Sequence, residues 1–329
     1  EAGVQTLVFD LWFDTPTVHN ERFSQAVGQA VENGTRVVVG IQKLDTGLPM
    51  IIPELKEKGV DYGILCMGRK LKRTFSFPLA LFKSDVDQNK AKNPLARTGE
   101  YYSLALTAYA AHRGLKIQGA QEDRMSVGLI SDHHSPQTVH ASKIRKIRSK
   151  EGCMLYTPGD RLAERILDPY PMSVIRDQSR WFSYQDVLAM PPERAKVLFE
   201  NKLVLIGVRN KNDQREEIRG FSCKNRYGVE FHAEAINTLM DKVVVRPLGA
   251  AGRILFMVFM GCSAAFIRSK LFSGPFWWTV AAVLAVHIVY SACVLVCFAA
   301  YALLLNVLYH LAAFWVTYGI TARLEKKMH

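Results

Sequence analysis

An α/β domain with a mainly parallel sheet flanked by helices, followed by three transmembrane helices, is the architecture this sequence predicts, on three observations. Apolar strand-like runs alternate with segments of helical periodicity over residues 1–247. From Leu271 to Ala322 there are 52 consecutive residues without an Asp, Glu, Lys or Arg. A hydrocarbon core of about 30 Å takes roughly 20 helical residues, so this run holds two spans and a turn. Positions 1 to 252 carry 36 basic and 29 acidic residues, the balance of an ordinary water-soluble domain, whereas the remainder carries six basic residues and one acid.

The elements follow in order. Leu7 to Phe13 is an apolar strand. Asn20 to Gly34 is helical, with Phe23, Ala26, Val27, Ala30 and Val31 on one face and Asn33 with Gly34 closing it. Val37 to Val39 is a buried strand that completes a βαβ unit. Val60 to Leu65 is a further strand, and Tyr102 to Arg113 a helix ended by Gly114. Ser183 and Asp186 have capping-box spacing and start a short helix. Leu203 to Gly207 is a continuous apolar strand, and Gly228 to Met240 a helix with Val229, Ala233, Ile236 and Met240 on one face. The polar stretches 83–98, 118–126 and 209–226 read as loops.

Three spans are expected at about 248–267, 276–298 and 302–320, with a reversal near Ala299 to Leu303. Trp277, Trp278, Trp315 and Tyr318 lie toward span ends, as interfacial aromatics do. Arg268 and Lys270 fill the first interhelical loop and Arg323, Lys326 and Lys327 follow the last span. The positive-inside rule puts both clusters in the cytoplasm, with residues 1–247 in the periplasm of a bacterium and 323–329 as a cytoplasmic tail. His287, Asn306 and His310 read as polar side chains bonding neighbouring helices, a proton or ligand path being the alternative. A domain outside the membrane needs a signal peptide or upstream anchor. Residues 1–20 read as a strand instead, so the chain is expected to begin part-way through a longer protein or to be processed.

The net charge of +12 comes with no zinc-finger spacing and no aromatic RNA-binding motif, so the expected partner is the lipid bilayer and not nucleic acid. Asp132, His133, His134 and His140 match no closed zinc site, and no metal or cofactor is expected. The basic run Lys143, Arg145, Lys146, Arg148 and Lys150 reads as a solvated face, with anionic headgroups as the alternative contact. Cys66, Cys153 and Cys223 lie in the outer domain, where an oxidising compartment permits one pair, Cys153 with Cys223 being the choice.

The opening LVFDLWFDTP superficially resembles the nucleophile strand of haloacid-dehalogenase-type phosphatases, in which a second Asp follows two residues after the first. Trp12 holds that place here, which leaves a hydrolase as the weakest reading. Val8, Asp10, Trp12 and Asp14 share one side of an extended strand if it continues that far, so Asp10 and Asp14 are candidate ligand acceptors. Gly207 opens a polar loop with Asn212 and Asp213 beyond a strand's carboxyl end, a candidate lip for a ligand. Glu230 suits the N-terminal dipole of its helix. His232 belongs to the apolar face; a buried histidine satisfied by one carboxylate or carbonyl is favoured over a ligand or switch role.

NKLVLIGV, a polar loop with Asp213, YGVEFHAEAIN and an extended link to Pro247 together resemble the second type of CHASE domain, the cyclase- and histidine-kinase-associated sensory extracellular domain. Ile206, Gly207, Asp213, Gly228, Val229, Glu230, His232 and Ala233 match the family's motif, and VFDLWFDTP and WFSYQDVL look like two of its other segments. GRKLKR at 68–73 departs from the family's Asp-Gly-x-x-Arg-Arg. The resemblance implies a non-enzymatic sensor or receptor subunit that binds a small molecule or a periplasmic protein, as a homo-oligomer or part of a membrane complex. A non-catalytic scaffold subunit is the alternative. The resemblance also implies an upstream transmembrane helix and a downstream output module, which are expected to lie outside residues 1–329.

Overall fold

The computed structural model describes residues 3–15, 17–42, 44–45, 48–49, 51–65, 76–82, 100–121, 126–131, 135–147, 160–166, 181–209, 214–219, 222–240, 246–271, 275–301, 303–305 and 307–328. The chain divides into two units, Glu1–Val244 and Val245–His329.

In the first unit the elements run β1 (Thr6–Trp12), α1 (Asn20–Glu32), β2 (Arg36–Ile41), the two-residue pair β3 (Leu44–Asp45) and β4 (Leu48–Pro49), α2 (Pro53–Lys56), β5 (Asp61–Ile64), β6 (Ser76–Phe82) and β7 (Glu100–Tyr102). They continue as α3 (Leu104–Arg113), β8 (Lys116–Gln121), β9 (Ser126–Ile130), β10 (Gln137–His140), β11 (Lys143–Lys146), β12 (Arg161–Ile166), α4 (Tyr184–Leu188) and α5 (Pro192–Phe199). The unit ends with β13 (Leu203–Gly207), β14 (Gln214–Arg219), β15 (Ser222–Tyr227) and α6 (Gly228–Met240).

Runs of apolar residues in β1, β2 and β13 are what strands buried on both faces require. They form a four-stranded sheet in the order β13-β1-β2-β5, parallel throughout. Period-two alternation divides the side chains. Val8 and Val38 pack with α3 and α6 on one face; Phe9, Val37 and Val39 pack on the other with Val27 of α1 and Leu55 of α2. The face of α1 is turned slightly from the expected one: Ser24 and Gly28 are buried and Ala26 is exposed. The Ser24 hydroxyl donates to the Glu54 carbonyl at 2.6 Å, and a Cβ on Gly28 would stand 3.2 Å from Lys58, so small residues let α2 lie close.

α3 is apolar all round and buried from Leu104 to Ala111. It begins two residues later than expected because Glu100–Tyr102 pairs with β6. The Ser103 hydroxyl caps it, accepting from the Leu106 amide at 3.2 Å, and Gly114 ends it at φ 71°. Its first turn lies directly on the sheet, since a Cβ on Gly63 would come within 2.4 Å of the Leu104 Cα. The capping box at α4 is present in both directions, and hydrogen bonds from the Ser183 hydroxyl and backbone N–H hold the Asp186 carboxyl below its usual range.

The parallel sheet flanked by helices is as expected, but the strand pairing of the unit as a whole is mixed and not mainly parallel, which corrects the expectation. Beside the parallel core stand an antiparallel sheet β11-β12-β6-β7, a second β10-β9-β8 and a hairpin β14–β15. Two supposed loops are therefore partly strand. At 118–126 the outer part of β8 carries Gln and Gly, and at 209–226 both hairpin strands are polar; neither has the apolar alternation that would announce it, whereas the backbone ladder holds them regardless. β11 draws the first half of the basic run into an edge strand.

The second unit contains β16 (Arg246–Pro247), α7 (Ala250–Phe266), a π-helical turn Ile267–Leu271, α8 (Phe276–Tyr301), β17 (Leu303–Leu304) and α9 (Val307–Met328). Two helices, Ala250–Lys270 and Phe276–Tyr301, are long and apolar enough to cross a membrane. The third, α9, carries His310, two tyrosines and a charged last turn and is not among them. The reversal falls at 303–305, where β17 pairs in parallel with β16. Met260, Ala264, Ile267, Tyr290 and Phe314 form the unit's core. Gly261 lets α9 approach, the Thr317 Oγ1 lying 3.3 Å from where its Cβ would be. Tyr290 Oη and His310 Nδ1 meet at 2.7 Å, a bond between α8 and α9 as expected of His310, whereas His287 Nδ1 lies 2.8 Å from the Val283 carbonyl of its own helix. Asn306 lies outside the described residues.

Candidate functional site

The carboxyl ends of β1 and β13 lie side by side, with Asp10 opposite Gly207 in register. On its other side β1 breaks register with β2, passing from the Phe9–Val39 pair to Trp12–Gly40. Asp10 sits inside this irregularity, a device that re-aims a side chain at a strand's end. Trp12 beyond it is half exposed, at 51%. Gly207 is required where it is: a Cβ there would fall 2.6 Å from Val229 Cγ2 and 3.3 Å from the Asp10 Cβ. Val229 belongs to the first turn of α6, so the glycine allows the helix start to seat over the two strand ends.

The same helix turn brings His232, 2% exposed, to Asp10. Its Nε2 lies 3.4 Å from Asp10 Oδ1 and 3.2 Å from the Leu65 carbonyl oxygen. Both neighbours accept, so Nε2 carries the proton and donates. Nδ1 is buried and has no partner among the described residues. Leu65 is itself held by its amide, which donates to the Ile41 carbonyl at 3.0 Å, and by resting on Gly40, where a Cβ would stand 2.4 Å from its side chain. One imidazole thus ties the ends of β1 and β5 to α6.

Glu230, in the first turn of α6 as expected, faces Arg209 at 3.8 Å. The Arg209 guanidinium lies over the rings of Trp181, at 5.1 Å, and Tyr227, at 4.8 Å. A strand, β15, and not the expected loop delivers the chain into Gly228.

The structure therefore assembles Asp10, Gly207, Gly228, Val229, Glu230 and His232 at one corner of the parallel sheet, with Ala233 half-buried beside them. Asp14 does not join them. β1 ends at Trp12, and the Asp14 carboxylate accepts from the Thr15 hydroxyl at 3.1 Å. Asn212, Asp213, Cys66 and Cys153 lie outside the described residues, as do Asp132, His133 and His134; the expected pairing of Cys153 with Cys223 falls there too. His140 is exposed on β10. Pro247 belongs to β16 of the second unit.

Sequence reasoning missed Arg209, Trp181, Tyr227 and Leu65 at this corner. It also missed a polar group deeper in the same helix: Glu234 and Thr238 are fully buried, and Arg165 of β12, 3% exposed, donates from Nη2 to the Thr238 carbonyl at 3.4 Å. An acid one turn beyond Glu230 on an otherwise apolar helix was the available signal.

A comparison with curated proteins finds no match, and none is found among solved structures. The family profile of the CHASE2 domain matches residues 1–266. That span holds every residue of the corner just described and runs on into α7, and CHASE2 domains are extracellular sensor domains and not catalytic ones; the chain belongs to the CHASE2 family.

Proposed function

We propose that the chain is the sensor part of a membrane-anchored receptor, reading a small molecule or protein outside the inner membrane of a bacterium and passing the signal inward. The single observation that carries this reading is the CHASE2 match from residue 1 to 266, an extracellular sensor family whose match ends in an apolar helix able to cross a membrane. α7 and α8 supply two spans, and we take α9 as the third, because its first sixteen residues, Val307 to Ala322, carry no charge. Residues 1–247 then lie in the periplasm. Arg268 and Lys270, and the charged end of α9 with Arg323, Lys326 and Lys327, lie in the cytoplasm, as the positive-inside rule favours. Signal passage requires a ligand with differential affinity for two states of the outer domain. The corner at Asp10, Gly207 and His232 supports a site there, since it couples three strand ends to one helix.

The test is cysteine accessibility in intact spheroplasts. Single cysteines at Asp213 and Lys326 should label from outside at the first position and only after lysis at the second. Outward labelling at 326 overturns the three-span topology.

A further inference from the structure

We propose that Trp181, Tyr227 and Glu230 form a receptor for a small organic cation, a methylated ammonium or a guanidinium, and that Arg209 fills it as a competitor built into the chain. The guanidinium carbon of Arg209 lies 5.1 Å from the Trp181 ring centroid and 4.8 Å from that of Tyr227. Its Nη2 stands 3.8 Å from Glu230 Oε1. Two aromatic faces and one carboxylate are the chemistry by which proteins hold organic cations. Here they converge from two places in the chain: the segment before α4, which gives Trp181, and the junction of β15 with α6, which gives Tyr227 and Glu230.

Receptor and occupant differ in how firmly they are held. The Glu230 side chain is 17% exposed and both rings are half-buried, whereas the Arg209 side chain is 58% exposed. At 3.8 Å the ion pair exceeds hydrogen-bond length, so it fixes no geometry. Ring contacts to an exposed cation and ion pairs in water are each weak. The occupant stays because it is tethered two residues beyond Gly207, which gives it a high effective concentration. A free cation that displaces it releases Arg209 and keeps the Glu230 charge neutralised. This consequence rests on the sensor reading; the recognition of a cation rests on the geometry alone.

Choline binding to the full chain in lipid nanodiscs, followed by titration calorimetry, tests the proposal, with 3,3-dimethylbutan-1-ol as the uncharged isostere. If Arg209 fills the cage nine-tenths of the time, Arg209→Ala binds choline about tenfold more tightly than the wild type. Neither protein then binds the alcohol, and adding Trp181→Ala or Glu230→Gln to Arg209→Ala abolishes choline binding. Arg209→Gln, which keeps the apolar stem, shows the same gain if the alanine variant folds poorly. Equal choline affinity with and without Arg209, or equal binding of the alcohol, overturns the proposal. Choline that binds without changing the distance between spin labels at the cytoplasmic ends of α7 and α9 upholds the cage and overturns transmission; a distance change under another stimulus with no choline binding overturns the cage alone.

Discussion

His232 shows how much one side chain holds. Its Nε2–H serves two acceptors, the Asp10 carboxylate and the Leu65 carbonyl, and removing the ring leaves both in a buried corner. A buried acceptor that loses its donor, as the Leu65 carbonyl would, costs about 1–3 kcal/mol, so His232→Ala should lower the unfolding free energy by about that amount in chemical denaturation. A variant as stable as the wild type but deaf to the native stimulus would assign the residue to a sensing pocket instead. Gly207, Val229 and His232 were legible in the sequence because a strand ending in glycine and a helix start leave local marks. Arg209 and Trp181 left none: their meeting depends on a fold that closes 27 residues of intervening chain.

At the scale of elements, the π turn Ile267–Leu271 has a role at the end of the helical bundle. It carries Arg268, 7% exposed, whose Nη2 lies 3.0 Å from Glu325 Oε2 on the last turns of α9. Glu325→Gln takes a carboxylate from beside a largely buried guanidinium and, with Glu325 26% exposed, should cost about 1–3 kcal/mol in thermal unfolding in nanodiscs. The double exchange R268E/E325R should restore most of the loss, and a swap no better than either single change would show that the pair itself contributes nothing. Helices were the elements best read from the sequence, through caps such as Ser183 and Gly114 and through apolar faces. β6, β12 and the β14–β15 hairpin were missed. In β12 and the hairpin charged or polar side chains interrupt the alternation, and in β6 Pro78 breaks the strand signal of an otherwise apolar run. The pairing of all of them is fixed by backbone hydrogen bonds that no residue type announces.

For the whole molecule, the first unit has a parallel core whose order follows from the βαβ signal, with antiparallel sheets that were not foreseen. One joint of that core should be sensitive to acid. At the end of α3, burial first and then the cations Arg113 and Arg36 push the His112 imidazole below its ordinary value. Its Nδ1 lies 3.3 Å from the Thr6 hydroxyl, its carbonyl accepts from Gln5 at 3.0 Å, and Arg36 donates to the Ala111 carbonyl. The folded state therefore holds His112 neutral while the unfolded chain takes up a proton near about pH 6.5. Stability is fully present above that value and is lost as pH falls through it toward the depressed one. Denaturation midpoints should drop between about pH 7.5 and 5.5, and His112→Gln should flatten that slope; an unchanged slope would place the sensitivity elsewhere.

The pairing of β1 with β13 also has a consequence for synthesis. As the chain is made, β1 finds β2 within one helical hairpin's length, but its other edge stays open until residues Leu203–Gly207 emerge. An apolar strand with an unpaired edge is a template for wrong pairing, and long-range parallel contacts form slowly. The nascent first unit is thus vulnerable for most of its passage from the ribosome. It closes its sheet only with one of its last strands, just ahead of the hairpin and the helix that bears His232.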